Sequence, residues 1–186
     1  TGYQKADRAA SGIAATRTQL DIASRQIGNT IGSMMALMNA DPANAEELFK
    51  KFSKDIDAIE KQAAKVRNTA DKMHAKGNEY FVDWEQESAL FQNPDLKEQA
   101  VQRREELQSY YGQIDAYLQA TKEAYRPFIG DLRDVERYFS NDLTPAGRSV
   151  ISDQVQKTAI DGEKTQRAVD NAINIMNQVA ARLSSS

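Results

Sequence analysis

The sequence contains no cysteine, which excludes disulfides, thiol nucleophiles and thiolate metal sites together. It leaves the compartment open, because a reducing cytosol and an oxidising envelope both tolerate a chain without thiols. Proline (4) and glycine (9) are scarce among the 186 residues, so irregular structure should be scarce too. There is one histidine, His74. A di-iron bundle of the ferritin type needs two Glu-x-x-His motifs, and this chain cannot supply a second histidine. No apolar run approaches the roughly 20 residues needed to span a bilayer. The net charge of -3 gives no attraction for a polyanion, so nucleic acid is not an expected partner. No Gly-rich phosphate loop, Ser/His/Asp set or dinucleotide fingerprint is present. Neither a cofactor nor a metal is expected, and the chain does not read as an enzyme.

What is there is a repeat. Hydrophobic residues make up 40% and charged residues 27%, which fits helices with one buried and one solvated face. Asp41-Pro42, Asn93-Pro94 and Thr144-Pro145 each pair a good N-cap with proline, a helix-start signal. They predict four helices over about 4–40, 42–92, 94–142 and 144–184, within a single helical bundle domain over 1–186. Each segment carries apolar residues at intervals of seven. The first has Ile13, Leu20, Ile27 and Met34; the second has Phe52, Ile59, Val66, Met73 and Tyr80. A companion row in the second runs Phe49, Ile56, Ala63, Ala70, Gly77, Trp84 and Phe91. The third has Leu107, Ile114, Thr121, Phe128 and Val135; the fourth has Val155, Gly162, Val169, Met176 and Leu183. A sustained period of seven implies coiled-coil-like packing, and short connections imply antiparallel neighbours. The fold class is therefore all-α: an elongated antiparallel four-helix bundle. Pro127 should kink the third helix near 123–127 rather than break it, since the apolar repeat continues in phase with Phe128 and Leu132. Small residues such as Gly12, Gly28, Gly32 and Gly162 in the outer segments should leave space for the large aromatics of the third.

At about 1.5 Å per residue the middle two helices reach roughly 70 Å and the outer two roughly 55 Å. The helix 2/helix 3 hairpin should therefore overhang the bundle, at the end that holds both termini. This tip contains Phe81, Trp84, Leu90, Phe91 and Leu96 beside an acidic run of Glu79, Asp83, Glu85 and Glu87. Acidic groups near a helix C-terminus oppose the dipole and need compensation. Arg103 and Arg104 fall opposite them in the hairpin, and Arg104 is expected near Phe81 or Trp84 with Glu85 or Glu87 as counter-ion. Phe81, Trp84, Phe91, Arg103 and Arg104 are the candidate partner-contact set. The alternative is that they only staple the hairpin shut. His74, three residues after Asp71, reads as a surface histidine beside a carboxylate.

The stretch Phe81-x-x-Trp84-x-x-Glu87, then Tyr110-Tyr111, Pro127 and Leu132-Arg133-Asp134-Val135, resembles a bacterial family of unknown function (domain of unknown function twenty-nine fifty-nine). The opening Gly2-Tyr3-Gln4-Lys5 with Asp7-Arg8 is similar to the family's beginning, which follows a lipoprotein-type signal. One departure is Ser140-Asn141-Asp142-Leu143, where the family tends to show His-Asn-Leu-Asn. The resemblance implies export, lipid anchoring just before Thr1 and coiled-coil character, and it carries no catalytic residues. The chain opens Thr1-Gly2-Tyr3 without methionine, which is expected of a processed or trimmed protein. The expected role is a structural or protein-interaction module of the bacterial envelope, in the periplasm or anchored to its membrane. Its expected partner is a protein, with a membrane surface near the N-terminal end as the other possibility. A ligand-sensing bundle of the chemoreceptor type is the competing reading. The ending Leu183-Ser184-Ser185-Ser186 speaks against it, because such modules are flanked by transmembrane helices, whereas a pocket with convergent arginines would favour it.

Overall fold

The computed structural model describes residues 1–184, so Ser185 and Ser186 of the serine ending lie outside the described residues. It is all-helical: α1 Gly2–Met38, α2 Ala45–Ser88, α3 Pro94–Asn141, α4 Pro145–Val150 and α5 Ser152–Leu183. Among the described residues there are thus five helices in place of the four predicted. Two of the three proline signals start helices. Asn93 accepts from the backbone of Asp95 (3.0 Å) and Leu96 (3.2 Å), and Thr144 accepts from Gly147 (3.0 Å).

Asp41-Pro42 does not start one. The Asn44 amide donates back to the Asp41 carbonyl at 2.9 Å, closing a turn, and α2 begins at Ala45. The fixed φ of proline suits the second position of such a turn as well as the first turn of a helix, and the chain here must reverse direction. The fourth segment divides at Ile151, whose φ of -102° and ψ of 15° leave the helical region. Two β-branched residues, Val150 and Ile151, meet there, and such residues are poor helix formers. The short α4 carries Arg148 into the interior, where its guanidinium donates to the Leu37 and Ala40 carbonyls (both 2.7 Å) at the end of α1. The Leu37 carbonyl also accepts from the Ala40 amide just past the helix end (3.3 Å), and Arg148 adds a charged donor from a distant element.

The sevenfold rows form the core. Ile13, Leu20, Ile27, Met34, Phe52, Phe128, Val155, Val169 and Met176 are buried. Helix α1 packs on α2 and α5, and α3 packs on α5 and α2. Cross-helix bonds advance along one helix as they retreat along its neighbour. Gln62 donates to the Gln19 carbonyl while Lys5 meets Glu79 and Asp83; Arg17 donates to Asn177 while Ser24 donates to Asp170. Helix α3 runs unbroken through Pro127. Gly162 accommodates the Phe128 ring and Ile31, since a Cβ there would lie 2.7 Å and 2.6 Å from them. Gly32, by contrast, has open space around it and is no contact point.

Candidate functional site

Two places stand out from a uniformly packed rod: the end of the α2–α3 hairpin, and the middle of the seam between the same two helices. At 44 and 48 residues, α2 and α3 exceed α1 (37) and α5 (32). The last turn of α5 is placed by Arg182, whose guanidinium stacks 3.8 Å from the Tyr110 ring centroid. Residues 94–106 of α3 extend past that level, and none of them is buried.

The predicted contact set is distributed unevenly. Phe81 is core rather than surface, a correction of the sequence expectation: it is 6% exposed, edge-on to Tyr111 at 5.6 Å and tilted against Tyr80 at 4.9 Å. Burying the Tyr111 ring beside α2 takes an aromatic lid, and Phe81 is the lid. Trp84 is half-buried, 5.6 Å from Tyr80. Phe91 stays exposed in the loop, with Leu90 at 68% and Leu96 close by. Arg103 turns to Glu106 on its own helix (2.8 Å). Arg104 is 14% exposed, its Nη1 3.8 Å from Glu85, and its buried Nε has no hydrogen-bond partner. The remaining compensation for the acidic run comes from Lys5 in the first turns of α1, which reaches Glu79 and Asp83. Sequence spacing could not find Lys5, because nothing local places residue 5 beside residue 83. The same packing brings exposed Tyr3 and Val82 to this end.

The α2–α3 seam is the sparsest of the four long ones. It is pinned at two stations. Toward the tip, Tyr111 lies over Gly77 and donates its hydroxyl to the Met73 carbonyl at 2.6 Å. Burial, reinforced by Asp115, pushes that phenol well above its ordinary pKa. Toward the other end, Arg133 bonds Glu60 (2.6 Å), Asp57 (2.8 Å) and its own-helix Glu136 (2.7 Å). The hydrogen bonding it donates to Glu60 is the largest influence holding that guanidinium charged. Between the pins the helices stand apart around a groove of about 510 Å³. Leu20 and Ile27 of α1 and Val169 of α5 form its floor; Ile59, Ala63 and Val66 form one wall, Leu118 and Tyr125 the other. Arg67, Asp71 and His74 of α2 face Asp115, Gln119 and Lys122 of α3 along its mouth. His74 pairs across the mouth with Asp115 at 3.2 Å, not with Asp71.

The groove was legible only in part. Ala63, Val66 and Thr121 belong to the sevenfold rows, yet they are only half-buried, as are Leu118 and Tyr125 beside them. The signal was small or polar residues, Ala63 and Thr121, at seam positions that elsewhere hold large apolar ones. Among the described residues no three of His, Cys, Asp and Glu come together to hold a metal ion. No helix among them is long and apolar enough to cross a membrane.

A family profile described as "Protein of unknown function (DUF2959)" matches residues 1–183. No curated protein and no solved structure matches the chain.

Proposed function

The chain belongs to the DUF2959 family of proteins of unknown function, and on that footing we propose that it is a non-enzymatic structural and protein-interaction module of the bacterial cell envelope. In this reading the rod is an elongated antiparallel four-helix bundle, interrupted at Ile151, that presents the end of its longest hairpin to a protein partner. One observation carries the proposal. Of the exposed large apolar side chains, Tyr3, Val82, Leu90, Phe91 and Leu96 gather at this end, leaving only Tyr117, Val150 and Ile160 elsewhere. Clustered exposed apolar groups with a polar rim mark contact sites.

The partner is argued to be a protein because the rim is acidic. Glu79, Asp83, Glu85 and Glu87 surround the apolar groups, and the nearby Lys5, Arg103 and Arg104 are already engaged. An anionic lipid surface would repel such a rim. A partner with an apolar centre and basic edge would fit it. The envelope setting rests on the resemblance of residues 2–8 to the beginning of exported family members. The non-enzymatic reading rests on the lack of cysteine, a lone histidine and carboxylates spread over mixed-charge faces.

A photo-cross-linking residue at Phe91, compared with one at Ile160, tests this in cells expressing the full natural product. The expected outcome is a discrete protein adduct from position 91, found in the envelope fraction and lost on Leu90→Glu with Leu96→Glu. No adduct, or the same adduct from position 160, would contradict it. The groove favours a second reading, a ligand-sensing bundle of chemoreceptor type, because such modules bind small molecules between helices.

A further inference from the structure

We propose that the groove between α2 and α3 binds one single-chain amphiphile of the fatty-acid class, its hydrocarbon chain on the apolar floor and its carboxylate between Arg67 and Lys122. The inference stands apart from the tip and its partner. The volume of about 510 Å³ lies within the range of small-molecule sites, roughly 300–1,000 Å³. Its interior offers carbon and little else: Leu20, Ile27, Ile59, Val66, Leu118 and Val169. The two threonine hydroxyls that line it are already committed. Thr121 donates to the Tyr117 carbonyl at 2.9 Å, and Thr165 lies within bonding distance of the Ala124 (3.1 Å) and Asp161 (2.8 Å) carbonyls. A sugar or nucleotide buried there would leave its own polar groups unpaired, which is costly. A hydrocarbon chain would not, and it would cover the half-exposed apolar walls.

The head group is specified by the mouth. Arg67 stands seven residues before His74 and Lys122 seven after Asp115, so both are two helical turns from the His74–Asp115 pair and level with each other. Neither has an ion-pair partner among the described residues. Two like charges facing each other across a cleft repel, and an anion between them would turn that repulsion into attraction. Tyr125 adds a phenol at the same end. The acidic groups of the mouth, Asp71 and Asp115, lie on the tip side of the cations, and Asp115 already faces His74. The pins at Tyr111 and Arg133 hold both ends of the groove, so a chain can enter without either helix leaving the bundle.

The test titrates the full chain with dodecanoate, below its micelle concentration, against dodecanol and dodecyltrimethylammonium as head-group controls. Expected are saturable one-to-one binding of dodecanoate, a raised Tm, and clearly weaker binding of both controls. Arg67→Glu with Lys122→Glu changes only exposed groups, so the fold should persist while dodecanoate affinity falls about tenfold or more. Ala63→Phe should fill the groove and abolish binding. Because that variant could misfold, a photoreactive dodecanoate analogue asks the same question of the unaltered chain, with adducts expected within 59–74 and 115–125. Non-saturable binding, equal affinity for the cationic or neutral chain, indifference to the charge reversal, or adducts scattered outside those segments would each overturn the proposal.

Discussion

Single residues decide where these helices touch. Gly77 is the clearest case: a Cβ there would lie 2.3 Å from the Tyr111 ring, so glycine is what lets the phenol reach the Met73 carbonyl. Gly77→Ala should gain about 1 kcal/mol of helix propensity and lose about 1–3 kcal/mol to overpacking, for a net fall in stability measured by urea unfolding. Tyr111→Phe keeps the ring and loses only the hydrogen bond, about 0.5–1.5 kcal/mol. A Gly77→Ala variant more stable than the parent would show that the seam is looser than described. Asp142 works differently. Its carboxylate accepts from the Thr144 hydroxyl (2.6 Å) and amide (3.0 Å), and those bonds hold its pKa below the ordinary 3.8. A depressed carboxyl stabilises the fold above its unfolded pKa, and that contribution fades as pH falls through the folded value. The Tm difference between the parent and Asp142→Ala should therefore be constant from about pH 7 to pH 5 and shrink below about pH 4. A difference that grew on acidification would contradict the sign.

At the scale of elements, the sevenfold rows separate positions that must be apolar from those that need not be. Ile56 is fully buried, so Ile56→Asp places an unpaired charge in the core and should abolish cooperative melting. Phe128→Ala should cost about 3–5 kcal/mol, whereas Leu90→Ala, at the open end, should stay within about 0.5 kcal/mol of the parent. Equal losses would mean that the hairpin end is covered rather than free. Most of this was legible beforehand, because a period of seven is a property of the sequence and burial follows it except beside the groove and at the hairpin end. Helix starts at Pro94 and Pro145 were legible for the same reason: cap and proline act locally. Pro42 and Ile151 were not, since a proline fits a turn and a helix start equally well, and the break at Ile151 sits beside an arginine anchored on a helix more than a hundred residues earlier. The site divides along the same line. Phe91 could be read as exposed from its place beside the loop, but Phe81 joins the core, Lys5 meets Asp83, and Arg67 faces Lys122 only after the helices have assembled.

At the scale of the molecule, unequal helix length is the feature from which the open end and its exposed apolar groups follow. The repeat makes rods lie side by side, and the longest rod sets the length of the particle. With 48 residues, α3 spans about 72 Å at 1.5 Å per residue. A rod of that length and of bundle width has a radius of gyration of roughly 22 Å, by the same helix dimensions, against about 16 Å for a compact domain of this many residues. Small-angle X-ray scattering at high dilution, where a single chain is confirmed by its forward scattering, measures this directly. A radius near 22 Å with a maximum dimension above 70 Å is the expected result, and a value near 16 Å would contradict the extended bundle and the projecting hairpin with it.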